Sequence, residues 1–122
     1  MSTTSISEVP VRLDSQLLKG TTPLLVLTVI GDGELYGYEI AQRIRDSSGG
    51  AFAPSEGSLY PALHRLEADG ALLGSWRTSD RGPRRRYYRL TSKGTGLLAE
   101  NRDRFAAFVA GVQGVTAGVG DG

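Results

Sequence analysis

The sequence predicts a mainly α-helical domain with one small β-hairpin, and three observations carry that prediction. Apolar stripes at helical spacing run through Ile40 to Ile44, Leu59 to Leu66 and Leu98 to Val112. Strict alternation replaces them between Leu72 and Leu90. Glycine or proline punctuates most of the joins. At 122 residues the chain fits one domain, and without cysteine it has neither disulfides nor a thiolate metal site. A cysteine-free composition fits a reducing cytoplasm, and Met1 to Pro10 lacks the basic and apolar regions of a signal peptide. No run approaches the roughly 18 apolar residues needed to span a bilayer. A cytoplasmic protein without a membrane partner is expected.

Residues 1–15 read as a flexible arm, since Met1 to Leu13 are polar and β-branched with no period. Thr22-Pro23 then has the form of an N-cap followed by proline at the first helical position. Leu24 to Ile30 is continuously apolar, as a buried helix requires, and Gly31-Asp32-Gly33 ends it. Tyr36-Gly37-Tyr38 opens a second helix whose stripe is Ile40, Ala41 and Ile44, stopped by Gly49-Gly50.

The third helix begins near Ser55. Leu59, Ala62, Leu63 and Leu66 form its apolar face, Ser58, Pro61, His64 and Arg65 its opposite face, and Gly70 its stop. Pro61 cannot donate a helical hydrogen bond. Either the helix proper starts close to Ser58, or Gly57 at i−4 relieves the clash.

Leu72, Gly74 and Trp76 then alternate with Leu73, Ser75 and Arg77, and Arg86, Tyr88 and Leu90 with Arg85, Tyr87 and Arg89. A loop containing Gly82-Pro83 joins these strands into a hairpin. Thr91 is the N-cap of a last helix that reaches about Val112, so residues 92–113 form that helix and the glycine-rich residues 114–122 a disordered tail. Three helices, a hairpin and one more helix is the element order of a winged helix-turn-helix, here over residues 16–91 with a C-terminal dimerisation helix appended.

The charge distribution supports that architecture. Arg77, Arg81, Arg84, Arg85, Arg86, Arg89 and Lys93 lie in the hairpin region, opposed by Asp80 alone, although the whole chain carries a formal net charge of only +1. A basic segment on an otherwise acidic chain suggests a polyanion-binding surface, a solvated hairpin being the alternative on charge alone.

Three motifs resemble one family. Tyr36-Gly37-Tyr38-Glu39-Ile40 is similar to the second-helix motif of the PadR family, the phenolic-acid-responsive regulators and their relatives. Ser58-Leu59-Tyr60-Pro61-Ala62-Leu63-His64-Arg65-Leu66-Glu67 with Gly70 resembles its recognition-helix motif, and Arg85 to Thr91 with Gly94 its wing strand and the start of its last helix. The resemblance covers roughly Leu17 to Val112, and the single C-terminal helix places the chain with the short-form members. It implies a homodimer that binds a pseudo-palindromic operator on double-stranded DNA, usually as a repressor. Dimerisation through the last helix, with help from the N-terminal region, is also implied. Some members are released from DNA by phenolic acids or flat hydrophobic drugs, so a small aromatic or hydrophobic effector is a candidate partner. Some drug-binding members carry a tryptophan on the last helix; here that helix has Phe105 and Phe108, and the single tryptophan is Trp76.

The candidate DNA-binding residues are therefore Ser55, Ser58, Tyr60, Pro61, His64 and Arg65 on the third helix, with Arg81, Arg84 and Arg85 at the wing tip. Ser55, Ser58 and the backbone at the helix start suit phosphate oxygens, Ser55 being equally an N-cap. Tyr60 is placed with its hydroxyl toward phosphate, the core being the alternative. His64 and Arg65 are placed on base edges or phosphate. Arg86 and Arg89 suit packing or salt bridging as well as DNA, and Tyr36, Trp76, Tyr88 and Leu90 read as structural. Leu98, Phe105, Phe108, Val109 and Val112 form a seam for dimerisation or an effector. His64 is the sole histidine and Glu56, Glu67, Asp69 and Asp80 are scattered, so no catalytic residue, metal or cofactor is expected. A protein-docking winged helix is the rival reading, and it does not require so basic a wing.

Overall fold

The computed structural model describes residues 20–78 and 80–121, with side chains as far as 118. The expected N-terminal arm lies outside the described residues. In chain order the elements are α1 (Thr22–Ile30), β1 (Leu35–Tyr36), α2 (Gly37–Ser47), α3 (Glu56–Ala68), β2 (Leu72–Arg77), β3 (Arg85–Leu90) and α4 (Ser92–Asp121). This is the expected winged helix-turn-helix order with two differences.

The first difference is a third strand. β1 pairs antiparallel with β3, so the sheet order is β1-β3-β2 and the wing hairpin is anchored on its inner edge. Two residues are too few to show an alternation, which is why the segment reads as the opening of α2. The second difference is the length of α4. The expected disordered tail is helical to Asp121, at 30 residues and about 45 Å. Gly111, Gly114 and Gly118 make that stretch look like a chain terminus, yet none of them breaks the helix.

α1 lies at the centre and contacts all three other helices and β3. Pro23 sits in its first turn, and Gly31 ends it at φ +52°. α2 and α3 end in the same way. Gly49 and Gly70 adopt φ +64° and +83°, where a Cβ is strained. The Gly70 and Ala71 amides return to the carbonyls of Glu67 at 3.0 Å and Leu66 at 2.9 Å. Pro61 lies inside α3, six residues after Ser55, so the helix does not start close to Ser58.

The core is one cluster drawn from every element of the body. Val26, Leu27, Ile40, Leu63 and Leu72 are fully buried, each stabilising the fold by roughly 1.5–3 kcal/mol relative to exposure. The inward face of the sheet adds Leu35, Tyr88 and the partly buried Leu90. The β3–α4 junction is locked onto the end of α3. Thr91 donates its hydroxyl to the Gly70 carbonyl at 2.6 Å and accepts from the Gly94 amide at 3.1 Å. Lys93 Nζ donates to the Asp69 carbonyl at 2.6 Å, a cation at a helix C-terminus. Gly94 has no room for a side chain, because a Cβ there would collide with the Ala71 carbonyl oxygen.

Candidate nucleic-acid interface

α3 presents its polar face to solvent because its apolar stripe, Leu59, Leu63 and Leu66, is consumed by the core. Ser55, Ser58, Pro61, His64 and Arg65 are all exposed, as expected. Ser55 occupies the N-cap position, but its side chain bonds Ser58 Oγ at 3.4 Å rather than a helix amide. His64 and Arg65 have no side-chain partner among the described residues. The first and last turns of α3 therefore offer hydroxyls and backbone amides at one end and a guanidinium at the other.

Tyr60 departs from the expectation of a hydroxyl aimed at phosphate. Its phenol lies across the start of α2, where a Cβ at Gly37 would stand 2.6 Å from the hydroxyl. The side chain is 38% exposed, so it packs one edge on α2 and shows the other to solvent. Gly37 is small because that ring needs the space.

The wing divides its arginines into two groups. Arg77 and Arg86 are paired, with Glu34 and Glu67 respectively. Arg84 lies 4.6 Å above the Trp76 ring and Arg85 4.5 Å above Tyr36, while both remain exposed. Such stacking holds a guanidinium while leaving its edge free to donate, and is worth about 0.5–1 kcal/mol at exposed sites. Arg81 and Arg89 are exposed and have no side-chain partner among the described residues. The cationic surface available to a polyanion is thus Arg81, Arg84, Arg85 and Arg89.

These stacked pairs went unread in the sequence. Register could have revealed them: Arg77 opposes Arg85, and Trp76 opposes Arg86, so each arginine has an aromatic beside or diagonal to it. Trp76, expected to be structural, is 55% exposed. Tyr36 is half-buried, stacked 6.4 Å from Tyr38 and tilted against Tyr87 at 5.4 Å. Tyr88 is core, and burial pushes its phenol above the ordinary value, with the Glu67 carboxylate acting in the same direction. The hydrogen bond to Glu67 likewise raises the Arg86 guanidinium.

The seam residues do not all stay together. Leu98 is partly buried and packs against the body's core. Val109 is half-buried. Phe105, Phe108 and Val112 are exposed, and Val115, beyond the expected end of the helix, joins them. Their 3-4-3 spacing is that of the a and d positions of a heptad. An open groove beside them is lined by Ala107, Phe108, Gly111, Val112, Val115 and Thr116.

Comparison with known proteins agrees with this geometry. Residues 26–100 match the model of the Transcriptional regulator PadR-like family. The chain belongs to that family. It is 41% identical over 100 residues to Transcriptional regulator Rv3488 of Mycobacterium tuberculosis, covering 80% of this chain and 90% of the relative. A crystal structure of a PadR-like transcriptional regulator from Bacillus cereus superposes with a TM-score of 0.70 at 34% identity, covering 84% of this chain and 97% of that one. A transcriptional regulator from Clostridium thermocellum superposes at 0.75 with 26% identity, covering 83% and 95%. This PadR-family chain is accordingly a transcriptional regulator, which implies DNA binding rather than enzymatic turnover. Among the described residues no helix is long and apolar enough to cross a membrane, and no cluster of side chains is arranged to hold a metal ion.

Proposed function

We propose that this PadR-family protein is a cytoplasmic homodimeric repressor that binds a pseudo-palindromic operator, with α3 in the major groove and the wing on the flanking backbone or minor groove. The observations that carry the reading are two exposed elements: the outer face of α3 with His64 and Arg65, and a wing whose Arg81, Arg84 and Arg85 are displayed to solvent. Ser55 and Ser58 lie at the helix start and suit phosphate oxygens. His64 and Arg65 read base edges, whose donor and acceptor patterns differ among base pairs in the major groove. A two-fold dimer requires half-sites about one helical turn apart, or a multiple of that. Footprinting on the DNA upstream of the protein's own gene tests this directly. Two related half-sites are expected, and protection of one unrepeated half-site would sink the symmetric model.

Dimerisation is supported by Phe105, Phe108, Val112 and Val115, which leave the body uncovered on α4. The adjoining apolar groove supports a second role for the same seam, the binding of a small aromatic or hydrophobic effector. Titrating a phenolic acid into the protein–DNA complex tests it: release of DNA is expected, and retention at millimolar ligand with no heat of binding rejects the effector.

A further inference from the structure

Glu67 comes from the last turn of α3 and Arg86 from β3, so their ion pair joins the two halves of the DNA-binding surface. It is a two-point contact, with Arg86 Nη2 donating to Glu67 Oε2 and Nε donating to Oε1 at 3.4 Å. Both side chains are 27% exposed. A carboxylate beside a phosphate-binding surface opposes affinity. Its placement therefore calls for another explanation.

The neighbours of Arg86 supply one. Its guanidinium lies over Gly74, where a Cβ would stand 2.7 Å from Nε, so a strand glycine makes room for it. The same guanidinium is 5.3 Å from the Trp76 ring, and Arg84 stacks on that ring at 4.6 Å. Glu67, Arg86, Trp76 and Arg84 thus form one line of contacts from the end of α3 to the wing tip.

We propose that Glu67 is a positioning residue for DNA recognition: through Arg86 it fixes the wing against α3 and withholds that guanidinium from phosphate, so that α3 and Arg84 engage DNA as one rigid unit. The proposal rests on the DNA-binding reading above. Glu67 touches no DNA in this scheme. It converts two independent contacts into a matched pair, which rewards a correctly spaced site and penalises others.

The test uses the intact protein, a duplex from upstream of its own gene and a random duplex of equal length. Trp76 is the single tryptophan, so its emission reports the Arg86 contact without DNA. Glu67→Gln is expected to change Trp76 emission and iodide quenching in the free protein. It is also expected to lower the ratio of upstream to random affinity about tenfold, the scale of one charge-assisted hydrogen bond. On random DNA the salt dependence should steepen, since each newly paired phosphate contributes about −0.9 to the slope. Arg86→Gln should lose the same discrimination without steepening, and the double variant should be no worse than either. Gly74→Ala, which keeps both charges but crowds Arg86, should reproduce the loss.

An unchanged Trp76 signal in Glu67→Gln overturns the proposal. So do equal losses on both duplexes that track a fall in melting temperature, because that pattern belongs to a merely structural pair. Failure of the parent protein to discriminate the duplexes would count against the regulator reading instead. The Trp76 signal and the salt slope on random DNA would still decide whether Glu67 holds the wing.

Discussion

The body of the molecule and the outer half of α4 treat their hydrophobic residues in opposite ways. In the body, Leu27, Ile40, Leu63 and Leu72 are sealed among helices and sheet. Beyond residue 101, Phe105, Phe108, Val112 and Val115 on α4 stand exposed among the described residues. The difference is not one of composition, since both stretches carry apolar stripes. It is one of partners. Gly111, Gly114 and Gly118 each cost this helix about 1 kcal/mol relative to alanine. The body can hold itself together; the outer half of α4 is expected to need a second copy.

The largest effect that could break this contrast is loss of that second copy. Phe108→Asp would place a carboxylate in an apolar seam, where burial without a partner is costly. Sedimentation should show a dimer for the parent and a monomer for the variant at micromolar concentration. Operator affinity should fall about a hundredfold or more, because engagement of the second half-site stops being intramolecular. The body should still melt cooperatively. A parent that is already monomeric, or a variant that remains dimeric, removes the proposed seam.

Gly94→Ala attacks the other side of the comparison, the joint where α4 leaves the body. Its Cβ would meet the Ala71 carbonyl oxygen, a backbone atom that cannot move aside. Overpacking of this kind costs about 1–3 kcal/mol, so the melting temperature should drop by roughly 5–15 °C. Scanning calorimetry checks it, and an unchanged melting temperature would mean that the joint is not close-packed.

How much of this was legible in the sequence differs between the two regions. The body's elements follow from stripes and punctuation: Leu59, Leu63 and Leu66 mark the buried side of α3, and with it the exposed side bearing His64. The strand alternation likewise put Tyr88 inside. β1 was too short to show a period. The outer part of α4 misled because glycine ordinarily signals a helix end, whereas here the helix runs on through Gly111, Gly114 and Gly118. Tyr60 could not be oriented, because its position against Gly37 is a tertiary contact. The stacking of Arg84 and Arg85 on Trp76 and Tyr36 likewise arises from strand register, which the bare order of basic residues conceals.

Within the DNA-binding surface a finer comparison follows, between α3 and the wing. His64→Ala should lose about 1–3 kcal/mol of discrimination between operator and random DNA while keeping most non-specific affinity. Arg84→Ala and Arg85→Ala should weaken binding to both duplexes and flatten the salt slope by about 0.9 for each phosphate no longer neutralised. Titrations at several salt concentrations separate the two behaviours. Equal loss on both duplexes in His64→Ala would remove that residue from base reading, and salt-insensitive binding would favour a protein-docking role for the wing.

The smallest effect sharpens the opening contrast, because it asks which side of α4 is covered. Gly114 lies six residues after Phe108, roughly 240° around the helix and away from the Phe108–Val112–Val115 stripe. Nothing stands within 4 Å of where its Cβ would be. Gly111 also has open space, but it lines the apolar groove beside the stripe. If a second copy covers only that stripe and groove, Gly114→Ala gains helix propensity without disturbing the interface. The outer turns should then be stabilised by about 1 kcal/mol, read as slower amide exchange and stronger far-ultraviolet helicity at unchanged dimer affinity. Gly111→Ala has the same propensity gain set against crowding at the seam, so its dimer should be no tighter and its outer turns less stabilised than those of Gly114→Ala. Equal stabilisation by both would place the interface elsewhere on the helix. A weaker dimer in Gly114→Ala would mean that the covered face is the opposite one, and Phe108 would then have to be reassigned to solvent.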